Sequence, residues 1–523
     1  MNTAERLSSL PFPDGVLSAL LITEYAIKIL ALGTVPENRQ PSSSQAWLLA
    51  ILFIPVIGVP MFLLFGSPYI TGRRHVIQEQ ANALYADALA DRPTVPEGLE
   101  VQPGVRTTIE MNRTLTAIPA MTGEVVALHS DYGRSLAAMT AAVREATDYV
   151  HIEFYAQSWD CETDGFFTAA VDAAERGVAV RVLVDHLGSL RYRGFKKLRK
   201  RLKPTPVEFH LMLPVNPFVG RFRRPDLRNH RKLLVVDGHH GFIGSQNLID
   251  RHYGSSRNAR LGREWVDLMI EARGQIVQAM DGIFAVDWYS ESGERIGTLD
   301  TLAKGAPLTA GAGRPAPAPP VPAGSAGSAG SAVSAVSGGP ASAFQLVPSG
   351  PGYRTQPNLR MFVQLVAQAE ERVRIVSPYF VPDEALLHAV TSASYRGVVV
   401  ELFVPEHADQ FMVHHAQRSY YRALLEAGVV IHRFRSPAVL HTKAVLIDDF
   451  AAVVGSSNLD QRSFHLNFEV SLLVLGGETV AELNDVVDGY LGESTTLELD
   501  TWMSRPWAGR YVDNVARLTS ALQ

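Results

Sequence analysis

The sequence predicts an α/β protein built as two similar halves, preceded by two membrane-spanning helices. Three observations carry that expectation. One short residue pattern occurs twice at a constant offset, strand and helix signals alternate around both copies, and two apolar runs open the chain.

The pattern is His230-Arg231-Lys232, then four residues, then Asp237; it returns as His441-Thr442-Lys443, four residues, then Asp448. Seven positions past each Asp comes Gly-Ser-x-Asn: Gly244, Ser245 and Asn247 in one copy, Gly455, Ser456 and Asn458 in the other. Such a recurrence predicts two similar units that bring matching groups to one site.

At the front, Val16 to Val35 is apolar apart from Thr23, Glu24, Tyr25, Lys28 and Thr34. Trp47 to Phe65 is a run of nineteen uncharged residues, long enough to cross a bilayer core. Pro55, Gly58 and Pro60 would break a soluble helix but are tolerated in a membrane one. Glu24 and Lys28 lie one turn apart, where they can pair or face the neighbouring span. The first run lacks the basic flank and the small-residue cleavage site of a signal peptide. The loop Pro36 to Ala46 carries one Arg and one Glu, while Arg73 and Arg74 follow the second run. That charge bias predicts both ends, and the bulk of the protein, on the cytoplasmic side. Residues 1–75 are therefore read as a multi-pass anchor in the cell membrane.

From Val125 the grammar is alternating α/β. Leu136 to Ala146 and Phe166 to Arg176 have helical spacing, Tyr149 to Tyr155 alternates like a strand, and Val178 to Asp185 reads as a buried strand. The second half repeats it: a helix near Leu359 to Glu371, strands at Val373 to Val376 and Val398 to Val404, and a helix over Arg418 to Ala427 capped by Gly428. Each histidine motif runs into a β-branched and leucine-rich strand, so the chemistry sits at a strand entrance. Ala303 to Ser342 is almost uncharged Ala, Gly, Pro and Ser, a flexible linker unable to bury a core. The halves are placed at 120–302 and 343–523. The first carries an extra loop, Arg251 to Gly262.

Composition narrows the function. The chain has 523 residues and a net charge of −5, so there is no basic excess to suit a general nucleic-acid binder. Its one cysteine, Cys161, excludes an intrachain disulfide framework and a cysteine metal cluster. It fits a reducing compartment, and equally a cysteine-poor extracytoplasmic protein.

Two histidines with two lysines suit a phosphodiester. One imidazole attacks phosphorus; the other protonates the departing oxygen and later deprotonates the incoming hydroxyl. Lys232 and Lys443 neutralise the non-bridging oxygens. Ser245, Asn247, Ser456 and Asn458 are the candidate donors to the substrate phosphate. Asp237 and Asp448 belong to the repeated catalytic motif, but at the far ends of five-residue strands they suit bracing loops better than touching phosphate. A carboxylate is needed to fix each imidazole tautomer, and Asp267 and Glu469 on the following strands are candidates. A lone His-x-Lys among sixteen histidines carries little weight. His239, His240 and His465 read as loop polar groups, and His414-His415 as a helix-start pair. The duplicated array is what singles out His230 and His441.

Arg191 to Lys203 holds eight bases and no acid, either a solvated helix or a contact for anionic lipid. Arg221, Arg223 and Arg224 could guide phosphate or stay in water. Glu153, Tyr155 and Tyr379 suit a pocket wall or edge packing equally.

The duplicated motif resembles the phospholipase D superfamily. Arg228-Asn229-His230-Arg231-Lys232, Trp265 with Asp267, Ser377-Pro378-Tyr379-Phe380-Val381-Pro382 and Asn458-Leu459-Asp460-Gln461-Arg462-Ser463 narrow the resemblance to bacterial cardiolipin synthases, as do the two apolar runs. Gly244-Ser245 stands where many such enzymes have two glycines. The resemblance implies α/β/α halves related by pseudo-two-fold symmetry, no cofactor and no metal. It implies phosphatidyl transfer between two phosphatidylglycerol molecules, giving cardiolipin and glycerol through a phosphohistidine. His230 is taken as nucleophile and His441 as acid/base, an order that the symmetry of the two copies leaves open to reversal. Expected partners are phosphatidylglycerol and anionic membrane lipids, with no nucleic acid. A hydrolase of this superfamily, another phosphatidyltransferase and an inactive membrane scaffold are the rivals.

Overall fold

The computed structural model describes residues 14–37, 41–66, 73–98, 101–215, 224–297, 342–353, 355–518 and 520. The chain divides into two units, Met1–Pro68 and Tyr69–Gln523. The linker expected over Ala303 to Ser342 falls outside the described residues except at Ser342, which opens a strand. Arg221 and Arg223 also lie outside them.

In the first unit, helix Asp14–Thr34 is followed by Pro41–Phe53 and Pro55–Phe65. No helix among the described residues is long and apolar enough to cross a membrane. The two expected spans are therefore not confirmed among the described residues. The second run is cut in two because Pro55 has no N–H to donate and Ile54 leaves helical geometry. The first is long enough but diluted by Glu24 and Lys28, which pair at 2.5 Å. Ala31, Val35 and Ile51 form a small core with Trp47 and Phe62, whose rings meet edge-on at 5.7 Å.

Among its described residues the second unit is organised by a 16-stranded sheet, fifteen strands in one path and Arg228–Asn229 beside it. Its first seven strands run in the order Met121–His129, Met269–Arg273, His240–Gly244, Lys232–Val236, Tyr149–Phe154, Ala179–Asp185, Glu208–Met212. The other direction repeats that order with Ser342–Ser349, Asn467–Leu475, Ala451–Gly455, Ala444–Ile447, Arg372–Val376, Val399–Pro405, Val430–Phe434, and adds Ser494–Thr496. In both series the last three matching strands are parallel and the rest antiparallel. The series meet where Met121, Thr122 and Gly123 pair with Phe344, Ala343 and Ser342. One ladder thus runs through both histidine motifs.

Helices cover the sheet because its strands are apolar on both faces. One core is shared, with Ile276, Phe284 and Trp288 packing against strand residues of both series. The outer layers are separate: Tyr132–Glu145, Asp164–Glu175 and Arg193–Leu202 cover the first series, while Pro357–Gln368, Glu384–Tyr395 and Phe411–Glu426 cover the second. Helix Pro103–Thr116 precedes the first series but packs on the second, where Asn112 donates to Gln345 at 3.0 Å. Nothing in its local pattern announces that.

Two glycines are set by close approach. A Cβ on Gly244 would stand 2.1 Å from Leu268 O, and one on Gly455 2.3 Å from Val470 O. Each lets its strand end press against the segment carrying a site carboxylate.

Candidate active site

Each histidine is delivered by a two-residue strand that pairs with the opposite half. Arg228–Asn229 runs parallel to Asn467–Phe468, and the His230 N–H donates to Phe468 O at 2.8 Å. Val439–Leu440 runs parallel to Trp265–Val266, and the His441 N–H donates to Val266 O at 2.8 Å. The next residue past each partner strand is an acid, Glu469 or Asp267.

The carboxylates are therefore exchanged. His230 Nδ1 lies 3.1 Å from Glu469 Oε1 and 3.1 Å from Ser456 O. His441 Nδ1 lies 2.7 Å from Asp267 Oδ1. A carboxylate on Nδ1 fixes the tautomer that leaves Nε2 with a lone pair. Ser245 Oγ donates to Asp267 at 2.6 Å and accepts from Leu268 N; Ser456 Oγ donates to Glu469 at 2.5 Å and accepts from Val470 N. The serine hydroxyls are thus engaged on the carboxylates. Ser245 and Ser456 thereby position the acids.

Both lysines are buried, and each Nζ donates to the carbonyl of its own histidine at 2.5 Å. Their charges bear on both imidazoles, which places all four groups in one electrostatic site. Burial, opposed by Glu469 and helped by Lys232, lowers His230 to about 4. Burial and Lys443 also lower His441. Burial pushes Lys232 well below the ordinary ammonium range and Lys443 down to about 8. Burial alone would raise Asp267, but His441 and Lys443 outweigh it and hold the carboxyl at about 2. Glu469 is lowered in the same way, burial being outweighed by His230 and Lys232.

Asp237 and Asp448 lie at the other ends of the strands, roughly 17 Å of extended chain away. Their carboxylates are taken up by backbone N–H groups. Asp237 accepts from the backbone N–H of Thr147, Asp148 and Tyr149, and Asp448 from those of Glu370, Glu371 and Arg372. Each sits at a positive φ, 50° and 47°, a turn that Asp tolerates when its side chain bonds locally. The two asparagines differ. Asn247 accepts from Ala156 N at 3.1 Å and donates to the Tyr253 hydroxyl at 2.9 Å. Asn458 Oδ1 has no hydrogen-bond partner among the described residues.

Tyr155 reaches the site, its ring edge-on to His230 at 4.8 Å and 5.5 Å from the Lys232 ammonium. Glu153 does not line it. The residue is fully buried, accepts from Asn229 Nδ2 at 2.6 Å, and burial and Asp287 raise its carboxyl well above the usual range. Arg231 stands between Asp287, which it pairs, and Glu469 O. Asp185 holds Arg228 at 3.2 Å and the Asn229 N–H at 2.9 Å. Tyr379 donates to Asp409 at 2.5 Å. His240 shares Glu271 with His129, at 2.7 and 2.8 Å.

The residue that sequence reasoning missed is Tyr253. It lies in the first half's extra loop, stacks on Trp265 at 4.4 Å and comes within 6.1 Å of the His441 ring. Only the loop's presence was visible in the sequence; its reach across the seam was not.

Comparison with known proteins agrees with this geometry. The family described as Cardiolipin synthase, PLD-like domain matches residues 139–288 and 362–490, and Phospholipase D-nuclease N-terminal matches 25–67. The chain is similar to Cardiolipin synthase A of Serratia proteamaculans (strain 568), 30% identical and covering 97% of this chain and 99% of that one. It is similar to Cardiolipin synthase A of Proteus mirabilis (strain HI4320), 29% identical over 96% of each. The solved phosphatidylserine synthase of Haemophilus influenzae Rd KW20 shares the fold, with TM-score 0.55 and 14% identity, covering 81% of this chain and 100% of that one.

Proposed function

The chain belongs to the cardiolipin synthase family with PLD-like domains, and from that premise we propose that it joins two phosphatidylglycerol molecules into cardiolipin and glycerol. The observation that carries the reading is the exchanged pairing of His230 with Glu469 and His441 with Asp267, which makes one site of two halves.

In the proposed sequence His230 Nε2 attacks phosphorus and the phosphorus–glycerol bond breaks. Protonated His441 gives its proton to the departing glycerol oxygen. A hydroxyl of a second phosphatidylglycerol then loses its proton to His441 and attacks the phosphohistidine, freeing His230. The asymmetry of the pair supports these roles. His230, lowered to about 4, is neutral at pH 7, as a nucleophile must be. His441 has the shorter carboxylate contact, which favours the imidazolium. An arriving phosphodiester adds its negative charge to that of Asp267 and Glu469, and raises both lysines and His441 together. Asn458, with its amide oxygen unpartnered, is placed to accept from a substrate hydroxyl; Asn247 holds the loop instead. Both imidazoles are largely withdrawn from solvent, which favours a lipid alcohol over water at the second step.

The same reading places the chain at the cell membrane, with its apolar N-terminal helices as a multi-pass anchor and the catalytic halves on the cytoplasmic face. Supporting it are exposed apolar side chains such as Ile22, Ile29, Phe53, Val56 and Leu63. The basic helix Arg193–Leu202 adds a contact for anionic headgroups. Its Phe195, Leu198 and Leu202 are buried, and Lys196, Arg199 and Lys200 carry no ion pair among the described residues. Cys161 is exposed and is the chain's one thiol, so it reports topology. A membrane-impermeant maleimide should label it in inverted vesicles and not in intact cells.

The reaction is tested with purified protein and phosphatidylglycerol, without nucleotide. Glycerol and a four-chain phospholipid in equal amounts are expected. Phosphatidic acid in their place would make the enzyme a hydrolase, and a need for a second headgroup donor would make it another phosphatidyltransferase.

A further inference from the structure

We infer that the second half carries an interfacial surface of its own: the outer stripe of helix Trp507–Arg517, together with exposed Phe411 and Met412 on the helix it packs against, seats on an anionic bilayer beside the active site. The inference rests on the reading that the substrate is a bilayer lipid.

The helix has two opposite faces. Asp513 and Ala516 are buried against helix Phe411–Glu426, where Asp513 accepts from His415 at 2.7 Å and pairs with Arg505 at 2.8 Å. On its outside, Trp507, Tyr511, Val515 and Leu518 follow at spacings of four, four and three residues, which aligns them in one stripe. Trp507 is 72% exposed, Tyr511 62% and Leu518 84%. Single exposed apolar residues are ordinary, but an aligned aromatic and aliphatic row needs a partner. Phe411 (65% exposed) lies 4.4 Å from the His415 ring, tilted to it, on the helix that Trp507–Arg517 packs against.

The position of this surface and its charge choose the partner. Asp409, two residues before Phe411, accepts from Tyr379, and its charge acts on Lys443, Tyr253 and Arg191. The helix that supports the stripe therefore begins, with exposed Phe411 and Met412, at the rim of the site. Arg510 and Arg517 flank it and are exposed. From the first half, the basic helix Arg193–Leu202 starts at Tyr192, whose ring lies 6.2 Å from Tyr253 on the same rim. Aromatic and aliphatic groups bordered by arginine, with a second basic helix nearby, match the boundary between acyl chains and anionic headgroups.

The test reconstitutes the full chain in vesicles of phosphatidylcholine and phosphatidylglycerol carrying brominated acyl chains. The signal of Trp507 is the difference between wild type and Trp507→Phe. Quenching of that difference by bromines near the headgroups supports the inference. In parallel, the double variant Trp507→Asp with Tyr511→Asp should turn over vesicle phosphatidylglycerol at least about tenfold more slowly, and soluble short-chain phosphatidylglycerol at the wild-type rate. An unquenched Trp507 with equal rates on vesicles overturns the proposal. So does an unquenched Trp507 in a protein that the double variant converts from dimer to monomer, since the stripe would then meet a second copy. If wild type makes no cardiolipin from either lipid but Trp507 is quenched, the docking stands and the assigned reaction fails.

Discussion

The two halves agree closely in the layer that touches the histidines and diverge one layer behind it. Both present a carboxylate, a serine on that carboxylate and a lysine on the histidine carbonyl, with matching distances. Behind His230, however, stand charged and polar groups: Arg231 with Asp287, Glu153 with Asn229, and Arg228 with Asp185. Behind His441, Thr442 shares a hydrogen bond with Tyr490 at 2.9 Å. The comparison teaches that the reaction needs symmetry only at the phosphorus atom. The layer behind is where one imidazole can be made unlike the other.

Removing either imidazole is the largest blow to that comparison. His230→Asn and His441→Asn should each lower turnover by about 10³-fold or more. A phosphatidyl ester of p-nitrophenol separates the roles, because that leaving group needs no proton. His441→Asn should still give a burst of p-nitrophenol and His230→Asn none; the opposite pattern would exchange nucleophile and acid/base.

The exchanged carboxylates come next. With the same activated ester, Glu469→Gln should slow the burst by about 10²-fold, while Asp267→Asn should leave it near wild type. If each acid served the histidine of its own half, Asp267→Asn would be the slow one. On phosphatidylglycerol both variants should be impaired.

A smaller effect is the acid sensitivity of folding that His230 contributes. Its folded value near 4 lies below the unfolded value of about 6.5. Between those values the unfolded chain binds more protons, so stability is present above pH 6.5 and is lost as pH falls toward 4. From pH 7 to pH 5 this amounts to about 2 kcal/mol. His230→Asn cannot take up that proton, so its urea midpoint should fall less between those two pH values than that of wild type.

The smallest expected effect on chemistry concerns the repeated aspartates. Asp237→Asn and Asp448→Asn should each cost about 1–3 kcal/mol of stability, because a charged acceptor of several backbone N–H groups is lost. Turnover by the folded enzyme should stay within about twofold of wild type. A thousandfold fall at full stability would return these acids to the catalytic set.

Much of the fold was legible because its helices and strands announce themselves locally. The strand read at Tyr149 to Tyr155 is Tyr149–Phe154, and the helix read at Leu359 to Glu371 is Pro357–Gln368. The helix read over Arg418 to Ala427 begins earlier, at Phe411, because its first turns are polar and aromatic and break the periodic signal. The joining strands Met121–His129 and Ser342–Ser349 went unread as partners. Their pairing spans more than 200 residues and leaves no local mark.

By itself the sequence determined which chemistry the chain carries. A histidine, a lysine, a glycine, a serine and an asparagine repeated in register are local facts, and together they point to a phosphodiester-handling site. Tertiary structure alone decided which acid serves which histidine and that the serines face carboxylates. It also decided that Asp237 and Asp448 close the far turns and that Tyr253 crosses to the other half. The reason is geometric: those relations depend on two short parallel pairings between segments distant in sequence, Arg228–Asn229 with Asn467–Phe468 and Val439–Leu440 with Trp265–Val266, and no periodicity within one segment encodes its partner.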